Sequence, residues 1–447
     1  MISGELQADG TGVLLRLFEP LSPAADTWDG AIGPTPVNDP LVHGRLLDGP
    51  EDVTVLGVSG VTLRAPFAHG HLDLLADAAL LGGHADGKSF DRVRIQFDVL
   101  DAWADPPPLV LDDDPSLERA VVRIEDLELA AARVGPAQIR LLSLVHGRWG
   151  DSVHLDQDVV FDVSAELAGI DEWAREWVRP LGDLLVVCLG RPATVTDMRV
   201  LCLDDHRDRV WLRVVRGLVQ PEPSKPEPAR MRSWDAPTLL LPDDSSLPFA
   251  ELLPTWFSML DDLGEAVTLL CAPHYAPFMF GEHRYASTFQ AAEALARRVF
   301  PGKEMTRREH RARVDAVVNA AAAAGVPDDT VRWAQNLLQA RNDRTLRALL
   351  QDLLDDAGPV GAAVRSAAPD APARMARART SVSHGGAPRE SAHVQYWLGQ
   401  TLAWIVRMHL LREAGVPPDI ISDRVLAKAG FRQALDQIML PTSTTRS

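Results

Sequence analysis

The stretch Gln220-Pro221-Glu222-Pro223-Ser224-Lys225-Pro226-Glu227-Pro228-Ala229-Arg230 holds four prolines in eleven residues and divides the chain into two differently patterned parts. Each proline fixes φ and removes a backbone donor, so such a segment stays extended and joins neither a sheet interior nor a helix. It reads as a linker. The fold class follows from what lies on either side of it.

On the N-terminal side the apolar runs have strand length: Gly12–Phe18, Val53–Leu63, Val93–Leu100, Val121–Leu129, Gln138–Leu144, Val159–Val163, Leu184–Leu189, Met198–Leu203 and Val210–Val215. In Val93-Arg94-Ile95-Gln96-Phe97-Asp98-Val99 the apolar residues fall at every second position, which turns one row of side chains to a core and the other to water. Glycine and proline clusters punctuate the runs, as an antiparallel sandwich requires. One helix is expected within this part, Ile170–Val178, with Trp173 and Trp177 four apart on one face and Asp171 and Glu172 near the positive end of the helix dipole.

Beyond the linker the period becomes helical over Phe249–Leu263, Tyr285–Phe300, Arg307–Ala324, Thr330–Leu338, Thr345–Leu354, Arg374–His384 and His393–Ala414. Gly325-Val326-Pro327, Gly385-Gly386 and Gly415-Val416-Pro417-Pro418 supply stop signals. The last helix carries an apolar stripe of Val394, Trp397, Leu398, Leu402, Ile405, Val406 and Leu410, fit for a bundle core. The chain therefore reads as α+β: an antiparallel β-sandwich-like domain over residues 1–225, a linker over 226–245, an all-α bundle over 246–437 and a tail over 438–447.

A chain of 447 residues with 46% hydrophobic and 24% charged residues has the composition of folded domains, and excludes collagen-like, coiled-coil and wholly disordered classes. Cys188, Cys202 and Cys271 make neither a C-x-x-C pair nor a disulfide framework, which points to a reducing compartment. The polar start and the lack of a long apolar run argue against export and membrane insertion, so a cytoplasmic protein is expected. The net charge of −17 hides an asymmetry, −23 over residues 1–280 against +6 over 281–447. A polyanion would meet the C-terminal part through arginine, in a salt-sensitive way.

No phosphate-binding lysine loop, dinucleotide glycine fingerprint, nucleophile elbow or H-E-x-x-H is present, and no cofactor is expected. Cys271-Ala272-Pro273-His274 lacks a second ligand pair and reads as a buried cysteine beside a loop histidine; Asp112-Asp113-Asp114 reads as a solvated acidic turn. No metal site is expected. The segment richest in chemistry is Arg377-Ala378-Arg379-Thr380-Ser381-Val382-Ser383-His384-Gly385-Gly386. Cleaving a phosphodiester without metal needs a base, an acid and a fixed cation for the phosphate, and arginine with histidine can supply all three. With 41 Arg and 13 His in the chain, however, this spacing is expected by chance, and Arg64 to His69 repeats it. From the residues alone, the segment reads first as a capped helix end with a solvated histidine, ahead of a catalytic pair. His393 and His409 read as ordinary surface or core residues.

Arg379-Thr380-Ser381-Val382-Ser383-His384 followed by Gly385 resembles the R-x4-6-H signature of HEPN ribonuclease domains. Phe249–Phe257 and Tyr285–Leu295 look like the opening of the HEPN-like domain of ApeA-type bacterial anti-phage proteins. Ile2–Gly4, Trp177–Leu184 and Gly190-Arg191-Pro192 resemble that family's β-rich N-terminal domain. The resemblance implies an abortive-infection endoribonuclease that needs no metal and pairs two HEPN domains as a homodimer or higher oligomer. RNA would be its substrate, and a phage-derived trigger would act at a sensor or regulatory N-terminal domain. By position, Arg379 would hold the scissile phosphate and His384 would move the proton, with Thr380, Ser383 and Glu293 in support. Thr380 stands where the family usually has Asn, Asp or His, and offers only a hydroxyl. The alternative implied is a non-catalytic binding or sensor protein whose degenerate HEPN module only dimerises. Glu293 is expected either at the site or in a structural ion pair with an arginine of the bundle.

Overall fold

The computed structural model describes residues 4–9, 12–17, 41–47, 51–64, 71–107, 126–149, 153–203, 208–216, 247–276, 279–384 and 390–439. The expected linker at 226–245, the Asp112–Asp114 turn and the last eight residues of the chain lie outside them. The chain forms two compact units, Met1–Phe257 and Ser258–Ser447.

The strands of the first unit are β1 (Gly4–Asp9), β2 (Gly12–Leu17), β3 (Val42–Arg45), β4 (Asp52–Leu56), β5 (Ser59–Arg64), β6 (His71–Ala76), β7 (Ala78–Leu81) and β8 (Phe90–Phe97). After the short helix α1 (Leu100–Ala104) come β9 (Leu127–Val134), β10 (Ala137–Trp149) and β11 (Val153–Ala168), then β12 (Val195–Leu203) and β13 (Arg209–Val215). They build an antiparallel four-stranded sheet, β1-β2-β6-β5, and a nine-stranded sheet, β3-β4-β7-β13-β12-β8-β11-β10-β9. Val13 and Leu15 of the small sheet share a core with Val53, Val55 and Ala79 of the large one. The alternation read from residues 93–99 is realised: Val93, Ile95 and Phe97 are buried, while Arg94 and Gln96 face the other way. A layer of helix covers the buried face. Trp103 of α1 packs against Phe161, and the Trp173 indole N–H donates to the Phe90 carbonyl.

One expected strand is a helix. Residues 184–189 belong to α3 (Arg179–Leu189), which continues α2 (Ile170–Trp173) through a π-helical turn, Ala174–Val178. Leu184–Leu189 is buried on every side, so its apolar run carries no period by which strand and helix could be told apart. The expected acidic residues lie in the first turn of α2, and Glu172 also closes a capping box, accepting from the Gly169 N–H at 2.9 Å.

The polar face of the large sheet is organised around Asp162 on β11, whose register sets it directly opposite Arg140 of β10 and Arg94 of β8. Its carboxylate is fully buried beneath three guanidinium groups, accepting from Arg92 at 2.8 and 3.0 Å, from Arg94 at 3.0 Å and from Arg140 at 3.0 Å. Arg94 in turn stacks 4.4 Å over the Trp211 ring.

Helix α4 (Phe249–Tyr275) begins in the first unit, where Trp256 donates to the Pro180 carbonyl and Phe257 packs on Trp177, and runs into the second. The second unit is helical among its described residues: α5 (Gly281–Val299), α6 (Arg307–Ala323), α7 (Asp328–Gln339), α8 (Leu346–Asp356), α9 (Gly358–Ala367), α10 (Ala371–His384), α11 (Ala392–Glu413), α12 (Pro418–Ala427) and α13 (Ala429–Met439). The stripe expected on α11 is buried apart from the half-buried Trp397. Gly399 lets α11 approach α5, because a Cβ there would lie 2.3 Å from the Tyr285 ring. Helices α9, α12 and α13 were not expected. Pro417-Pro418 read as part of a stop, yet Pro418, like Pro359, sits in the first turn of the next helix, where a missing N–H costs nothing. No helix among the described residues is long and apolar enough to cross a membrane.

Replacing Asp162 with Ala leaves three arginines without their shared acceptor. We expect a loss of about 3 kcal/mol, read as a lower urea midpoint for the β-rich unit.

Candidate functional site

Helix α10 carries the Arg379–His384 segment, and it packs against α5, α8 and α11. Its inward face is Ala371, Arg374, Met375 and Ala378, all buried. Arg374 is thus a cation at a core position. Its guanidinium donates to both oxygens of Glu390, at 3.1 and 3.3 Å, and to the Ile438 carbonyl at 2.9 Å. Glu390 is buried as well, and follows the segment that leaves His384. This pair ties α10 to the start of α11 and to the end of α13. Sequence reasoning missed it; the available signal was an arginine at an apolar position of the 3.6-residue period.

Fixing the inward face puts Arg379 on the flank of α10 toward α5, half-buried, with its Nη2 3.6 Å from Glu293 Oε2. Glu293 is held more tightly by Arg297, one turn along α5, at 2.7 and 3.2 Å. Structure thus brings Glu293 and Arg379 together and adds Arg297. The contact to Arg379 is loose, and leaves most of its five N–H donors for another acceptor.

Thr380 is exposed, and its hydroxyl donates to the Ala376 carbonyl at 3.0 Å, which commits its one proton to the helix backbone. It does not stand over Arg379 as a phosphate donor. His384 is the last residue of α10. The side chains of Ser383 and His384 lie outside the described residues.

The other histidines have structural surroundings. His393 bonds Gln437 at 2.7 Å. His409 is buried; its Nε2 donates to the Leu353 carbonyl at 2.9 Å, and burial pushes its pKa below the ordinary value. His274 is held near a pKa of about 4, first by burial and then by the charges of Arg407 and Arg284. It lies in the last turn of α4, not in a loop as read from the sequence, because the apolar period continues past Leu263. No group of three or more His, Cys, Asp or Glu side chains among the described residues is placed to hold a metal ion.

A strand-rich unit ahead of a helical bundle, with Arg379 on α10 five residues before a helix-terminal histidine, is the two-part layout that the resemblance implies. The family model for ApeA N-terminal domain 1 matches residues 2–256, and the Apea-like HEPN model matches residues 286–420. The chain belongs to this ApeA-type family. No curated protein and no solved structure matches it. The HEPN match spans Glu293, Arg379 and His384 together.

Two outcomes follow. Arg374→Ala strands the Glu390 carboxylate and should cost about 3 to 5 kcal/mol in chemical unfolding, whereas Arg374→Ala/Glu390→Ala should cost less than the sum of the single variants. His274 is neutral in the folded chain and titrates near its ordinary 6.5 when unfolded, so the unfolded state binds the extra proton between pH 4 and 6.5. Stability should rise with pH across that window, by at most about 3 kcal/mol from this group, and His274→Gln should remove that part of the slope.

Proposed function

We propose that this protein is an endoribonuclease of anti-phage defence that cuts RNA without a metal ion, in an abortive response to infection. HEPN domains are in general ribonucleases that pair and act on RNA, which supports the reading. The observation that carries it is Arg379 held on the α5 flank of α10, five residues before His384, inside the region matched as Apea-like HEPN.

In this reading Arg379 binds the scissile phosphate through the donors that Glu293 leaves uncommitted. Glu293 and Arg297 fix its position, so little freedom is lost when the phosphate arrives. One His384 takes the proton from the ribose 2′-hydroxyl as O2′ attacks phosphorus; a protonated His384 from a second copy hands a proton to the departing 5′-oxygen. The P–O5′ bond breaks as the P–O2′ bond forms. The products are a 2′,3′-cyclic phosphate and a 5′-hydroxyl, with no water consumed. Charge gathering on the phosphate is met by Arg379. The β-rich unit would sense the phage-derived trigger.

The competing reading is a HEPN module that dimerises without cutting, and it draws on Thr380, whose hydroxyl is spent on Ala376. Cleavage of single-stranded RNA by the full chain separates the two. We expect cleavage to persist in EDTA and to fall at least about 100-fold in His384→Ala and in Arg379→Ala, while both variants keep the wild-type oligomeric state. Loss of cleavage in EDTA, or unchanged cleavage in His384→Ala, would overturn the mechanism. A dimer that cuts no RNA even on co-expression with phage would favour the module.

A further inference from the structure

Helices α6 and α7 form an antiparallel hairpin inserted between α5 and α8, and they pack principally on each other. No residue of α7 is buried, and on α6 only Val314 is. The hairpin root is pinned by the Lys303–Asp343 ion pair and by the Asn342 side chain, which bonds Met305 in both directions at 3.0 and 3.2 Å. A helical pair that adds so little to the bundle core needs another reason for its sequence.

Charge supplies one. Between Arg297 and Arg347 the chain carries 11 Lys and Arg against 6 Asp and Glu, so this stretch holds nearly all of the +6 of residues 281–447. Helix α6 opens Arg307-Arg308-Glu309-His310-Arg311-Ala312-Arg313. At 3.6 residues per turn, Arg307, Arg308 and Arg311 fall within about 100° of one another on the helix surface. All three are exposed, and none is paired with a carboxylate among the described residues. The nearest acid is committed elsewhere: Glu309 closes a capping box with Thr306, accepting from its N–H at 3.1 Å and its hydroxyl at 2.6 Å. Those bonds hold its carboxyl below the ordinary pKa. Asp315, one turn beyond Arg311, forms no ion pair with it among the described residues.

The ridge leads back to the site. Arg297 and Arg298 occupy the last turn of α5, and the helix ends at Val299, about 9 Å along its axis from Glu293 at 1.5 Å per residue. Arg297 shares Glu293 with Arg379, and the chain then runs from the end of α5 through Lys303, paired with Asp343, to the start of α6, whose Arg307, Arg308 and Arg311 have no carboxylate partner among the described residues.

We infer that the α6–α7 hairpin is an arm that binds the phosphate backbone of single-stranded RNA through Arg307, Arg308 and Arg311 and delivers the strand to Arg379. This rests on the ribonuclease reading for its destination, but not for its charge. Exposed guanidinium groups free of internal acids are the groups that release counterions from a polyanion.

The test is binding of a fluorescein-labelled single-stranded RNA by the full chain, read by anisotropy across a salt series. It compares wild type with Arg307→Gln/Arg308→Gln/Arg311→Gln, with cleavage of the same RNA measured in parallel. Glutamine matches arginine in helix propensity, and the three side chains have no internal partner, so the thermal midpoint should hold. The slope of log K against log salt should fall by about 2 in the triple variant, so that from 50 to 200 mM salt the wild type loses about 20-fold more affinity than the variant does. Where cleavage occurs, KM should rise with kcat retained. An unchanged slope, or a wild type that binds no RNA, overturns the arm. RNA bound with the predicted change in slope but never cut would sink the ribonuclease reading and leave the arm standing. RNA cut equally well by the triple variant would do the reverse.

Discussion

The buried ion pair between Arg374 and Glu390 is the constraint on which the helical unit's chemistry rests. A guanidinium at a core position is tolerable only when its charge is paired and its donors engaged, and Glu390 with the Ile438 carbonyl takes three of its N–H groups. Satisfying Arg374 fixes which face of α10 is inward, and the direction of every other residue on the helix follows. Arg379 is carried to the α5 flank, and Thr380 to the solvent. Because Glu390 lies on the far side of the segment after His384, the same pair holds both ends of the chain that bears the histidine.

Around that frame the charges are graded. Glu293 is shared unequally, close to Arg297 and loosely to Arg379, so Arg379 is held in place by a weaker contact. His274 is kept neutral by burial beside Arg407 and Arg284, and His409 is held in the core by the Leu353 carbonyl. The cationic groups of α6 are exposed. The polar face of the β-rich unit behaves differently: its arginines converge on the buried Asp162, so they hold strands together instead of facing a polyanion.

Much of this was legible in the sequence, and the failures have physical causes. The alternation at residues 93–99 gave a strand and its buried face, and seven helical segments lie where their period put them, most with ends within a few residues, although α4 runs twelve residues beyond the expected Leu263. Leu184–Leu189 misled because a run buried on all sides has no period. The helices at 358–367 and 418–439 were hidden by prolines that begin helices as readily as they end them. Arg379, His384 and Glu293 were singled out through the family resemblance, and the pairing of Glu293 with arginines of the bundle, one of its two expected roles, is present on α5 and α10. The Arg374–Glu390 pair had no such guide: an arginine at an apolar helical position was a hint, but its partner sixteen residues on has no local signature.

The central claim is that RNA is cut by its own 2′-hydroxyl at a site held by Arg379 and His384. The most direct measurement places a single 2′-deoxynucleotide on the 5′ side of the bond that the full chain cleaves in an otherwise identical RNA. The account predicts no cleavage at that bond, with a 2′,3′-cyclic phosphate and a 5′-hydroxyl at the corresponding cut in the all-ribose strand. Cleavage of the deoxy-substituted bond at a similar rate, or a 5′-phosphate on the product, would contradict it.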